Sequence, residues 1–213
     1  MGRISKGVLG GFSGKIGNVV GGSWKGIDYM RIKPSSVANP KTVGQVDQRT
    51  KFTASLQFLQ PLKDFVKVGY KNFANKMTEF NSAMSYTLGN AITGISPDFI
   101  VDYSSALLSR GSLPGALNPS ATSTVAGAVE VAWDDNTLNG TASATDKSLI
   151  ALYNPNKAEA VYTLEGASRS AGTETLVVPA NYSGDDLEAY ISFQSADGTS
   201  VSNSIYIGSV TVA

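Results

Sequence analysis

The spacing of hydrophobic positions changes twice along the chain and divides it into three stretches. In the first forty residues bulky apolar side chains are few, and two runs, "NVVGGSW" and "IDYMRIK", alternate with a period of two. Along the second run Ile27, Tyr29 and Arg31 fall on one face, and Asp28, Met30 and Ile32 on the other. The runs flank Lys25-Gly26 and predict a β-hairpin with its turn there. Upstream, glycines at 7, 10, 14, 17 and 21 recur at spacings of three and four, which would align them on one face of a helix. Each interior glycine costs a helix about 1 kcal/mol relative to alanine. The opening therefore reads as an extended arm leading into the hairpin.

From about residue 41 to 93 the period becomes helical. Val46, Phe52, Leu56 and Leu59 outline one helix, which Pro61 ends while beginning the next. Leu62, Phe65, Val66, Tyr70, Phe73 and Met77 form the apolar stripe of that second helix. "FNSAMSYTLGNAI" predicts a third helix, weakened by Gly89. Beyond residue 97 the pattern turns to strands. "DFIVDYSSALLS" is a strand expected to pair with the N-terminal hairpin, and "GSLPGALNPSAT" reads as a linker. Six short runs follow: "TVAGAVEVAW", "SLIALYN", "AVYTLEG", "TETLVVP", "LEAYISFQ" and "SNSIYIGSVTV". Asp197-Gly198 marks a hairpin turn between the last two. With Trp133 early and Tyr190 on the penultimate run, these strands fit an immunoglobulin- or fibronectin-like sandwich. The expected class is α+β: arm and hairpin over 1–38, a helical region with a following strand over 39–117, and a β-sandwich over 118–213.

Composition narrows the chemistry. The 213 residues include no cysteine and no histidine. This excludes disulfides, thiol nucleophiles, Ser-His-Asp triads and the commonest metal ligand. No phosphate-binding loop of the Gly-Lys-Ser/Thr type occurs, and Gly10-Gly11 with Gly14-Lys15 lacks a preceding apolar strand. The acidic pairs Asp134-Asp135 and Asp185-Asp186 point their members to opposite faces of a strand, or sit in turns, and read as solvated turn residues. No catalytic residue, cofactor or metal is expected, and the chain does not read as an enzyme.

Charge shows an uneven distribution. Residues 1–80 carry thirteen Lys/Arg against four Asp/Glu, a net of +9, and the remainder carries −9. Such a split favours head-to-tail contact between copies, or contact with an acidic partner. Charged residues are only 16% of the chain, against roughly 25% in an average domain, so much of the surface is expected to lie under partners. Aromatic and basic residues interleave in the opening stretch. Phe12, Lys15, Trp24, Lys25, Tyr29, Arg31 and Lys33 are the expected intersubunit contacts, Trp24 as their anchor. Nucleic acid is the alternative partner for this basic arm, but its charges are dispersed rather than clustered. Neither a signal peptide nor a stretch long enough to span a membrane is read in the sequence. The expectation is synthesis in the bacterial cytoplasm and no membrane partner.

The assembled motifs carry a resemblance. "GKIGNVVGGSWKGIDYMR", "NPKT", "SRGSLPG", "YNP", "SGDDLEAYISFQSADG" and "VSNSIYIG" resemble an uncharacterised family of about 210 residues from Bacteroidota genomes, phages and prophages. The resemblance spans nearly the whole chain. It implies a virion component on the capsid, neck or tail, with other virion proteins as partners and the virion as location. It brings no catalytic residue with it. The alternative is a surface or glycan-binding module of a bacterial cell.

Overall fold

The structure is a computed structural model that describes residues 3–4, 11–24, 27–37, 39 and 41–213, without the side chains of residues 3, 4 and 24. It divides into two compact units, 1–42 and 43–213.

The first unit is a four-stranded antiparallel sheet in the order β1 (Arg3–Ile4), β2 (Phe12–Ile16), β3 (Val19–Trp24), β4 (Ile27–Ile32). The expected hairpin is β3 with β4, in unbroken register from Val19 opposite Ile32 to Trp24 opposite Ile27. Its Lys25-Gly26 turn lies outside the described residues, as do glycines 7 and 10. The expected arm is corrected over residues 12–16. That segment is strand β2, which turns at Gly17 (φ 58°) and pairs with β3. Glycine serves here by allowing close approach. The Phe12 ring and carbonyl lie over Gly21, where a Cβ would collide with the Phe12 oxygen.

The second unit begins with α1 (Val43–Leu59), α2 (Lys63–Gly69) and α3 (Glu79–Asn90). Thr78 caps α3 by accepting from the Asn81 amide. Pro61 lies in the turn between α1 and α2 rather than in a first helical turn. The expected stripes hold only in part. Leu59, Leu62, Phe65, Val66 and Tyr70 are fully buried, whereas Val46, Phe52, Phe73 and Met77 are exposed. Only the C-terminal half of α1 meets a core, so its apolar positions follow no single stripe. A hairpin of β5 (Ile92–Ile95) and β6 (Asp98–Val101) follows. The "DFIV" strand thus pairs with β5 instead of the N-terminal hairpin, and Ile92 leaves the expected third helix to join it.

Seven strands complete the unit: β7 (Leu117–Thr122), β8 (Ala128–Asp134), β9 (Lys147–Asn154), β10 (Glu159–Thr163), β11 (Thr173–Val177), β12 (Asp186–Gln194) and β13 (Ile205–Thr211). They form a three-stranded sheet, β11-β8-β7, and a four-stranded sheet, β10-β9-β12-β13. Val129, Val131 and Trp133 of β8 interleave with Ile150, Leu152, Leu187, Ile191 and Phe193 between the sheets, so the architecture is a β-sandwich. Among the described residues the chain is therefore mostly β with three α-helices, an α+β fold. Part of the expected linker is β7.

The four-stranded sheet is covered on both faces. Its outward residues Leu149, Ala151, Tyr153 and Tyr190 share a second core with Phe58, Leu59, Phe65 and Met84 of the helices. This explains why β9 is buried at every position from Ser148 to Asn154. Tyr190 points into the helical layer, where its hydroxyl donates to the Tyr103 carbonyl at 2.7 Å. The expected separation near residue 118 therefore runs through one shared core.

Candidate functional site

The first-unit sheet combines the residues singled out in the sequence with apolar surface that its own chain leaves bare. Opposed residues in an antiparallel ladder share a face. Lys15 opposes Val20, which opposes Arg31, and Tyr29 lies across Gly22, its hydroxyl near the position a Cβ would take. Lys33 continues this face, its amide donating to the Asn18 carbonyl at 2.7 Å. Lys15, Tyr29, Arg31 and Lys33 are all exposed and make one face basic and aromatic. The opposite face carries Ile16, Val19, Met30 and Ile32.

Four of the seven expected contacts thus come together on one face. Phe12 is half-buried on the other, folded over Gly21. Trp24 ends β3 opposite Ile27, and Lys25 lies outside the described residues. Alternation in the sequence places Met30 and Ile32 together on this second face, but none of the expected contacts on β4 lies there. Met30 and Ile32 are 71% and 77% exposed there, and Ile27, on the face of Tyr29 and Arg31, is 66% exposed. Packing leaves nearly all of β4 open: every residue from Ile27 to Ile32 is exposed.

In the second unit, polar chemistry is turned inward or tied up locally. Arg169 is fully buried, stacked 3.9 Å from the centre of the Phe193 ring. Its Nε donates to Asp146 Oδ2 at 3.0 Å and its terminal nitrogens to Asn136 Oδ1 and the Pro114 and Gly115 carbonyls. Its own carbonyl accepts from Trp133 Nε1 at 2.7 Å. The side chain thereby fastens the entry to β7, the β8–β9 loop and the β10–β11 loop together. Nothing in the sequence marks Arg169 for this position, because its partners lie 23 to 55 residues away.

The acidic pairs serve turns and edges. Asp134 accepts from Asn118, Asp135 from the Thr137 amide, and Asp186 from Thr211. Asp185 accepts from Lys157 and Asn154, whose donors hold its carboxyl below the usual range. Asp197 is held down to about 2 by the Ser195 hydroxyl and the Thr199 amide and hydroxyl. Among the described residues no three acidic side chains converge as a metal site would require. A groove of about 380 Å³ at this end of the sandwich is lined by Ser112, Thr141, Ser143, Asp146, Asp197 and Thr199, among others. Its lining includes hydroxyls and two carboxylates but no aromatic ring. Among the described residues no helix is long and apolar enough to cross a membrane.

This combination of a sheet, three helices and a sandwich spans a region that matches a known family: residues 11–208 fit the family of unknown function DUF6266. The chain belongs to that family. The DUF6266 match covers β2 through most of β13, so it takes in both units. No curated protein matches the chain. A solution structure of the fn3 domain of human collagen alpha-1(XX) chain is similar over 48% of this DUF6266 chain and 88% of that domain, with a TM-score of 0.35 and 11% identity.

Proposed function

We propose that the chain is a structural component of a bacteriophage particle that assembles with copies of itself through its N-terminal sheet. The sandwich, read as immunoglobulin- or fibronectin-like, is then displayed or packed against neighbouring virion proteins. One observation carries this reading. The second unit buries two large cores, while the first leaves Ile16, Ile27, Tyr29, Met30 and Ile32 open to solvent within its own unit. A segment of about 40 residues is at the limit of what can bury a core unaided, and exposed apolar surface of this kind marks interaction sites. The motif resemblance supports the phage setting, and the absence of histidine and cysteine from the sequence supports a non-enzymatic role. The glycan-binding alternative would use the hydroxyl-lined groove, which lacks the aromatic platform sugars stack on.

The test is the size of the particle in solution. Sedimentation velocity at micromolar concentration should show an oligomer for the full chain and a monomer for a chain lacking residues 1–33. Trp24→Ala should weaken assembly about tenfold, as truncation of an interface tryptophan does. A full-length monomer would overturn the assembly reading. Mass spectrometry of purified phage particles from a host carrying the gene tests the virion assignment directly, and absence from such particles would refute it.

A further inference from the structure

Resting on the self-assembly reading above, we infer that two copies join edge to edge through β4, antiparallel and centred on Met30, into one continuous eight-stranded sheet. The argument starts from which backbone groups face outward. The Lys33 amide donates to Asn18, so Asn18 with Lys33 is an exchange pair of the ladder. Exchange pairs recur every second residue, at Val20 with Arg31, Gly22 with Tyr29 and Trp24 with Ile27. The amides of Ile27, Tyr29 and Arg31 are therefore directed at β3. Those of Asp28, Met30 and Ile32 are directed away from it, at the sheet edge where β4 is the terminal strand.

Among the described residues this edge lacks the features that block pairing. Between Ile27 and Ile32 there is no proline and no lysine, and six successive pairs with β3 run without a bulge. The first unit carries seven bases against one acid, so a broad approach of two such units is repulsive and the local register must offset it. The β4 sequence does so with itself. A two-fold axis perpendicular to the sheet keeps each face on its own side, so only residues of like parity can meet. Centred on Met30, the pairing sets Asp28 against the second copy's Ile32, Met30 against Met30, and Tyr29 against the second copy's Arg31. No like charges meet, and each guanidinium lies beside a tyrosine ring on the basic face. All three outward amides of each strand find carbonyl partners in this register. Centring on Tyr29 instead leaves the Ile32 amides outside the 27–32 pairing. The apolar faces of both copies also become continuous through the paired methionines.

The chain has no cysteine, so one introduced thiol reports without background. Met30→Cys should give a covalent dimer with a short bismaleimide in high yield. Ser13→Cys, exposed on β2 inside the sheet, should give at least tenfold less. Met30→Pro removes an amide directed away from β3 and spares the ladder to β3, so it should raise the dissociation constant at least tenfold with the β-sheet circular dichroism retained. Should that variant lose its sheet signal, the thiol comparison decides alone. If the wild-type chain assembles but Met30→Cys crosslinks no better than Ser13→Cys, or folded Met30→Pro assembles normally, edge pairing is overturned and self-assembly stands. A monomeric wild-type chain overturns both.

Discussion

Arg169 shows how much one side chain can organise. It is fully buried with its charge balanced by Asp146, and its side chain serves three further polar groups, the Asn136 side-chain oxygen and the Pro114 and Gly115 carbonyls. Removing one partner of a buried pair costs about 3–5 kcal/mol, because the other charge is left uncompensated. Arg169→Met is expected to lose that amount in urea unfolding. Arg169→Lys should recover little, since an ammonium cannot supply the planar fork that reaches Asp146, Asn136 and two carbonyls together. Tyrosines provide a second test at this scale. Burial pushes the Tyr153 hydroxyl up to about 12, and burial with the Glu159 hydrogen bond does the same for Tyr182. Their folded values exceed the unfolded value near 10, so the neutral form is favoured by folding. The stabilisation is complete below about pH 10 and is lost as pH rises through about 12. Tyrosinate absorbance should lag that of free tyrosine across this window, with the urea midpoint falling alongside it. Ordinary titration of both residues near pH 10 would contradict the assignment.

At the scale of elements, the burial of α1 separates what periodicity can tell from what it cannot. Spacing alone groups Val46, Phe52, Leu56 and Leu59, yet Leu59 is fully buried and Phe52 is 49% exposed. A helix that meets its core over half its length has no single stripe for a sequence to display. Leu59→Ala should cost about 2–5 kcal/mol and Phe52→Ala less than about 1 kcal/mol, a contrast that thermal unfolding can read. Strands were more legible. Six of the seven sandwich strands match runs marked by alternation, four of them extending one residue beyond the run, and the β3–β4 hairpin pairs the two runs expected for it. The exception, β7, is "LNPSAT", an edge strand whose proline and asparagine carry the composition of a loop. The seven expected contact residues were legible as a basic and aromatic set. The apolar face behind them was not, because which face a strand leaves bare depends on what the rest of the chain fails to cover. In the β2–β3 pair, Gly21→Ala should destabilise the N-terminal sheet strongly, since the added methyl meets the Phe12 backbone oxygen.

For the whole molecule, the helices and the sandwich share a core that the composition of the 110–122 stretch conceals. Gly, Pro, Ser and Asn read as a hinge between domains, but Leu113 is buried and bridges to Ser202. A fragment of residues 117–213 would expose Leu149, Ala151, Tyr153 and Tyr190 on its four-stranded sheet. It is expected to aggregate or give broad amide signals, and co-expression with residues 43–116 should restore dispersed ones. A well-dispersed spectrum from the fragment alone would show that the sandwich does not need its helical cover.

The loop fastening around Arg169 has a practical side as well. Asn136 and Asp146 anchor the two ends of the β8–β9 loop, while Leu138 between them is 88% exposed. A short peptide grafted between Leu138 and Asn139 would therefore ride outside the clamp, as a flag flies from a pole already bolted at its base. If the chain is arrayed in many copies, that tip offers a repeating address for labels or displayed epitopes, placed on a different unit from the strands that would hold the array together.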